Sequence, residues 1–123
     1  MINKFIALLF LSRDYAHRAH LKTESHAEHM ALGGFYEDLT ELVDTLSETT
    51  QGWLLSRGIQ TRLDIPYMSH EEDGKQPSEV LASHMTLIQG TRKEAFANAS
   101  HLQNIVDEIV ALYCSTLYKL SLG

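Results

Sequence analysis

The sequence has few of the residues that define several classes of protein. Its one cysteine, Cys114, can form neither an internal disulfide nor a cysteine-based zinc site, and a reducing, cytoplasmic compartment is the simplest expectation. Two prolines and seven glycines in 123 residues exclude collagen-like and proline-rich chains. Ten basic against 16 acidic residues give a net charge of −6, which argues against a nucleic-acid-binding protein.

Long hydrophobic runs are also absent, since no stretch approaches the ~20 apolar residues of a membrane span. The apolar run from Phe5 to Leu11, which follows Lys4, is similar to the core of a signal peptide. No small-residue cleavage site follows this run, and the residues after it continue the helical periodicity. We therefore predict an amphipathic helix here and no association with a membrane.

Helical periodicity dominates the rest of the chain, and no segment alternates for long as a strand does. A capping box, Ser25 with Glu28, predicts the start of the second helix, and Gln51-Gly52 predicts its end. The helical periodicity of apolar residues is lost over residues 53–76, where Trp53 and its apolar neighbours suggest at most a short helix. The predicted helices cover residues 2–22, 26–50, 78–95 and 99–121.

This order predicts a single all-α domain over residues 1–123, a four-helix bundle of the ferritin-like kind with one long crossover. The 53–76 connection is long enough to cross the ~30 Å length of such a bundle, so helices two and three should run parallel. His84 and Leu87 are expected on the apolar, core-facing side of helix three, and His101 near a helix cap. Cys114 is expected to be a small buried side chain.

Helix two carries a second stripe opposite its apolar one. By helix-wheel geometry this stripe contains four acidic residues, with His26 and Met30 on the same side and Gly33-Gly34 beside it. Close approach of another helix would explain the two glycines, which are costly inside a helix; a simple solvated face is the alternative. The acidic residues of this stripe are Glu37, Glu41, Asp44 and Glu48.

Histidine is the abundant residue: four of the seven lie between positions 17 and 29. The segments His17–Thr23, Phe35–Glu37 and Val43–Glu48, together with His29, resemble the first half of Dps-type mini-ferritins. The segments His20–Thr23 and Ser25–Tyr36 resemble still more closely a family of small, uncharacterised, ferritin-like proteins of tailed phages, which would place the chain in the host cytoplasm.

The resemblance implies a ferroxidase that binds iron and oxidises Fe(II), with ligands His20, His29, Asp44 and Glu48. His17 and His26 are less favoured ligands. It also implies a homo-oligomer, a dimer at least and a dodecamer in the Dps case. DNA binding is not expected, because the chain is acidic and lacks the basic tail of many Dps proteins.

Helix geometry adds a condition to this hypothesis. Asp44 and Glu48 are one turn apart and share a face, but His29 lies 15 residues before Asp44, or roughly 22 Å along one helix. These residues can meet at one ion only if a second subunit packs antiparallel. Metal binding at this site would therefore require a dimer.

Several alternatives remain open at this point. A hairpin of helices one and two would bring His20, His26 and His29 together, and with Glu24 or Glu28 they could bind zinc instead. Tyr15 or Tyr36 could relay electrons or simply pack in the core. The chain could also be a non-enzymatic phage accessory protein that has lost the metal site and docks on a host factor through acidic residues, including those of 71–73, or a purely structural oligomer.

Overall fold

The computed structural model describes residues 1–69 and 74–123, and it is helical throughout its regular elements. No strand occurs in these two ranges, so the all-α prediction is confirmed. The helices are long, and none of those described is apolar enough over a sufficient length to cross a membrane. They are α1 (Ile2–Lys22), α2 (His26–Ser56), α3 (Pro77–Phe96) and α4 (Ser100–Ser121).

Side chains cap the starts of α2 and α3. At α2 the Ser25 hydroxyl accepts from the Glu28 N–H at 3.2 Å, and the Ser25 N–H donates to Thr23 Oγ1 at 3.1 Å instead of to Glu28. At α3 a reciprocal capping box joins Gln76 and Glu79. These side chains satisfy donors that the first helical turn leaves without partners.

Helix α2 does not end at Gln51-Gly52 as predicted but continues to Ser56. Trp53 is half-buried and packs against the core, and we attribute the continuation to this burial, which offsets the cost of an interior glycine. The Gln51 amide then binds the connection, donating to the Thr61 carbonyl at 3.0 Å and accepting from the Leu63 N–H at 2.9 Å. The prediction of a separate short helix at Trp53 is therefore wrong.

The helices pack as two antiparallel hairpins. Helix α1 packs on α2 and α3, and α4 packs on the same two, so that α2 and α3 occupy opposite corners. Phe5 near the start of α1 meets Phe96 at the end of α3, edge to face at 5.1 Å. This contact makes α1 antiparallel to α3, and since α2 is also antiparallel to α1, α2 and α3 run parallel as predicted.

The core is apolar at both ends and polar at its centre. Large side chains such as Phe35, Leu39 and Phe96 are almost fully buried, and they supply most of the stabilisation by removing apolar surface from water. His84 is only 1% exposed, which confirms it as a core histidine. Two other predictions are wrong: Leu87 of the apolar face is 44% exposed, and Cys114 is exposed, with its Sγ 3.7 Å from Met85 Sδ.

Candidate functional site: a histidine clasp and an acidic stripe

Two histidines lock α1 to α2 at the end of the first hairpin. His20 Nδ1 lies 2.6 Å from the His29 carbonyl oxygen, and His29 Nδ1 lies 2.7 Å from the His20 carbonyl oxygen. The two imidazoles stack with their centroids 3.7 Å apart and their planes 16° from parallel. We call this reciprocal pair the histidine clasp.

The hydrogen bonds of the histidine clasp fix its proton positions. A carbonyl oxygen only accepts, so the Nδ1 atoms of both His20 and His29 must carry the hydrogen. In the neutral imidazole, Nε2 is then the unprotonated nitrogen. An imidazole whose Nδ1–H is held by a backbone carbonyl has the arrangement typical of a metal ligand that binds through Nε2.

More rings extend the histidine clasp on both sides. Tyr36 stacks on His17 at 4.2 Å and 13°, and it meets the His20 ring nearly at a right angle at 5.4 Å. On the other side, the His26 ring lies 6.5 Å from that of His29. The hairpin therefore brings together all four histidines of residues 17–29.

Gly33 gives His20 the space it occupies. A Cβ at Gly33 would lie 2.9 Å from His20 Cε1, closer than real Cβ atoms approach, and 3.1 Å from His20 Nδ1, closer than most do. At Gly34, by contrast, nothing lies within 4 Å of the added atom, and the residue is exposed. The close approach predicted from the glycine pair is thus real at Gly33, but the approaching group belongs to α1 of the same chain. Sequence spacing alone does not reveal this contact.

The acidic stripe of α2, formed by Glu37, Glu41, Asp44 and Glu48, is exposed. None of its four carboxylates takes part in an ion pair with a described residue. Asp44 and Glu48 lie one turn apart, whereas His29 precedes Asp44 by roughly four helical turns and Glu48 by roughly five. One chain therefore does not bring the histidine clasp and these two carboxylates together.

The donor geometry limits what one chain can bind. Across residues 1–69 and 74–123, no group of three histidine, cysteine, aspartate or glutamate side chains converges as a metal site. The lone pairs of imidazole nitrogens lie in the ring plane, and the two rings of the histidine clasp are nearly parallel, with centroids 3.7 Å apart. In this arrangement the two rings cannot bind the same ion, although each Nε2 suits a separate ion.

The bundle centre holds a polar network rather than carboxylates. Tyr113 donates to Ser12 Oγ at 2.6 Å, and Ser12 Oγ lies 2.6 Å from His84 Nδ1. Burial raises the pKa of the Tyr113 hydroxyl far above its ordinary value, and the hydrogen bond to Ser12 offsets part of that shift. No aspartate or glutamate is buried among the described residues, so the centre of the bundle offers no carboxylate site for iron.

Tyr15 and Tyr36, the two candidate electron relays, are half-buried and contact histidines. The Tyr15 ring lies 6.4 Å from that of His84, and Tyr36 borders the histidine clasp. His101, exposed in the first turn of α4, lies near the helix cap as expected. The sequence does not predict the hydrogen bond between Ser12 and Tyr113, because a single serine or tyrosine in an apolar stripe forms no recognisable pattern.

Comparisons with known proteins place the chain in a family. Neither a curated protein nor a solved structure gives a significant match. A family profile matches residues 20–120, a stretch that contains the histidine clasp and the whole acidic stripe. Since the match spans most of the chain, the protein belongs to the family of unknown function DUF5856.

Proposed function

We propose that the chain is a ferritin-like, Dps-related protein that oligomerises to form an iron site between subunits. The observation that carries the proposal is the histidine clasp, in which both Nδ1 atoms are held by carbonyls and both Nε2 atoms have the tautomer of a metal ligand. Two antiparallel hairpins joined by a long connection are also the topology of ferritin-like bundles.

The residues present fit an iron site only across an interface. His20 or His29 of one subunit would supply one imidazole per ion, and Asp44 with Glu48 of a second subunit would supply the carboxylates. Imidazole and carboxylate together suit iron in both oxidation states. Fe(II) would be the substrate, oxidised by dioxygen or peroxide; zinc bound by the histidines alone is the alternative metal.

Because the carboxylates of Asp44 and Glu48 are exposed, they can be replaced without disturbing the core. Asp44→Asn with Glu48→Gln removes two exposed charges that form no ion pair with another described residue, so folding should be unaffected. The protein is loaded anaerobically with Fe(II) and passed over a size-exclusion column with light scattering, and the eluted iron is quantified. We expect iron to elute with an oligomer of the parent protein and to be absent from the variant.

A matched control is Glu94→Gln with Glu108→Gln, which removes the same charge from exposed positions on α3 and α4. This variant should retain iron like the parent protein. Equal loss of iron from both variants would indicate nonspecific binding to an acidic surface and would contradict the proposal. A metal-free monomer would contradict both the iron site and the dimer on which it depends.

The exposed acidic stripe also favours a second function, docking on a basic surface of another protein. Residues 71–73, the other acidic docking candidates, lie outside the described residues. Under this alternative, a metal-free oligomer would still be expected, and charge reversal at Glu37 and Glu41 would abolish binding of the partner. Iron retention by the parent protein separates the two functions.

A further inference from the structure

We propose that the outer face of α4 docks on the same face of a second copy of the chain, with the two helices antiparallel. This face consists of Ala111, Cys114, Ser115 and Tyr118, all of them exposed, and we call it the α4 face. At 100° per residue, Ala111 and Tyr118 point almost opposite the buried Ile109. Helix α4 packs its other side on α2 and α3, so the α4 face is turned away from the bundle.

The absence of charge is the first argument for an interface at the α4 face. Residues 109–118 contain no aspartate, glutamate, lysine or arginine, although these make up 21% of the chain. On α1 the comparable uncharged stretch, residues 5–12, has no exposed residue. On α4 the uncharged stretch is exposed, and Tyr118 is 65% exposed. Depletion of charge around an aromatic residue is typical of the centre of a protein–protein interface.

The charges at the two ends of the α4 face are the second argument, and they favour a second copy as the occupant. Asp107 and Glu108 precede the face and Lys119 follows it, all at exposed positions. Neither Glu108 nor Lys119 forms an ion pair with another described residue. In an antiparallel pair centred near residues 113 and 114, Lys119 of each copy lies beside Glu108 of the other. A parallel pair would instead place like charges together, so the face is complementary to itself only in the antiparallel orientation.

The side chains of the α4 face suit close packing of two helices. Ala111, Cys114 and Ser115 are small, so the two helix axes can approach to about 8 Å. Each Tyr118 then lies over the other copy's α4 between Glu108 and Ala111, where its ring leaves water while its hydroxyl stays at the rim. A two-fold contact of this kind closes on itself, so it forms a dimer rather than a filament.

This contact is distinct from the one that the proposed iron site requires. The acidic stripe lies on α2, whereas the α4 face lies on the neighbouring helix of the bundle. Two different two-fold contacts on one chain would join dimers into a larger assembly. Loss of the α4 contact should leave iron retention unchanged, and a protein that binds no iron should still form the α4 contact, so the two proposals fail separately.

The single native cysteine reports the proposed contact directly. In the antiparallel pair, Cys114 lies within about one residue of the two-fold axis, so the thiols of the two copies are neighbours. A short bis-maleimide, applied to metal-free protein in the presence of a chelator, should link the chain as a dimer. The control is Cys114→Ser with Asn104→Cys, which moves the thiol to an exposed position about 28 Å from its copy along the helix axes. This control should not be linked.

A charge swap tests the register of the two helices. Lys119→Glu should raise the protein concentration needed for half-maximal cross-linking about tenfold or more, and so should Glu108→Lys, because each places like charges side by side. Both substitutions in one chain restore the opposite charges and should restore cross-linking. The control, Lys4→Glu, makes the same change of charge at an exposed position of α1, which packs on α2 and α3, and should behave as the parent protein does.

Three results would overturn the proposal. One is cross-linking of the Asn104→Cys control as efficient as that of the parent, which would show random collision. Another is failure of the charge swap to restore cross-linking, or equal weakening by Lys4→Glu, which would show a general effect of charge. The third is the absence of cross-linking up to about 1 mM protein, weaker than a specific dimer should be, which would leave the α4 face to a different protein.

Discussion

His20 and His29 each donate their Nδ1 hydrogen to the other's backbone carbonyl, so that two side chains nine residues apart close the first hairpin symmetrically. Both bonds are short, at 2.6 and 2.7 Å, and the rings stack between them. The pair therefore combines a structural role with the proton arrangement of a metal ligand.

The contact between Gly33 and His20 predicts opposite effects at two adjacent glycines. Gly33→Ala places a Cβ 2.9 Å from His20 Cε1, and should cost about 1–3 kcal/mol of unfolding free energy by overpacking. Gly34→Ala meets nothing within 4 Å and should add about 0.5–1 kcal/mol through helix propensity. Urea denaturation measures both, and destabilisation of equal size at the two positions would contradict the close contact.

The histidine clasp predicts energetic coupling between its two members. His20→Ala and His29→Ala each remove the stack and one of the two hydrogen bonds, since the backbone carbonyls remain. Because the stack is lost in either single variant, the double variant should lose less stability than the sum of the single variants. The expected coupling is about 1–2 kcal/mol, as for residues in one network. A double-mutant cycle in urea measures it. Additive losses would show that the rings contribute independently.

The buried hydroxyl of Tyr113 predicts a loss of stability in alkali. Burial raises its pKa in the folded state above the ordinary value of about 10. Its contribution is therefore fully present below pH ~10 and falls as the pH rises further, because only the unfolded chain then releases this proton. The free energy of unfolding should decline by about 1.4 kcal/mol per pH unit from this group.

Tyr113→Phe should remove that component of the alkaline slope, and Tyr118→Phe, at an exposed position, should not. At neutral pH, Tyr113→Phe should also cost about 1 kcal/mol, because the hydrogen bond to Ser12 is lost. Ultraviolet absorbance, which follows tyrosinate formation, should show that Tyr113 ionises only as the protein unfolds, because burial raises its pKa. Ionisation of Tyr113 in the folded protein near pH ~10 would contradict its burial.

The tight turn between α3 and α4 predicts a stabilising substitution. Ala97 has φ 51 and ψ −132, a conformation that L-residues other than glycine rarely adopt. Ala97→Gly should therefore raise the free energy of unfolding by about 1 kcal/mol. Asn98→Gly is the matched control at the next position in the same turn, where no positive φ occurs. Stabilisation by the control alone would contradict the strain at Ala97.

The sequence predicted the helices because their apolar periodicity is long and strong. Helix α1 was predicted at its observed bounds, and the parallel course of α2 and α3 followed from the length of the connection. The end of α2 was missed, because Gly52 signals a stop locally whereas Trp53 gains burial only in the folded bundle. The exposure of Cys114 and Leu87 likewise depends on how the helices rotate when they pack.

The candidate site was predictable in part. Spacing placed His20 and His29 at facing ends of one hairpin, but their stacking and reciprocal hydrogen bonds depend on the space above Gly33. The separation of the histidine clasp from Asp44 and Glu48 followed directly from the rise of an α-helix. Whether a second subunit joins them depends on a surface that no intramolecular pattern encodes.

Complementation between two inactive variants tests the central claim most directly. One variant carries His20→Gln with His29→Gln, and the other carries Asp44→Asn with Glu48→Gln. If the iron site joins the histidines of one subunit to the carboxylates of another in a two-fold dimer, each alone should bind no iron. Co-refolding equal amounts should then restore about a quarter of the parent's iron, because half of the dimers are mixed and each contains one intact site. No recovery in mixed dimers that form normally would contradict the intersubunit site.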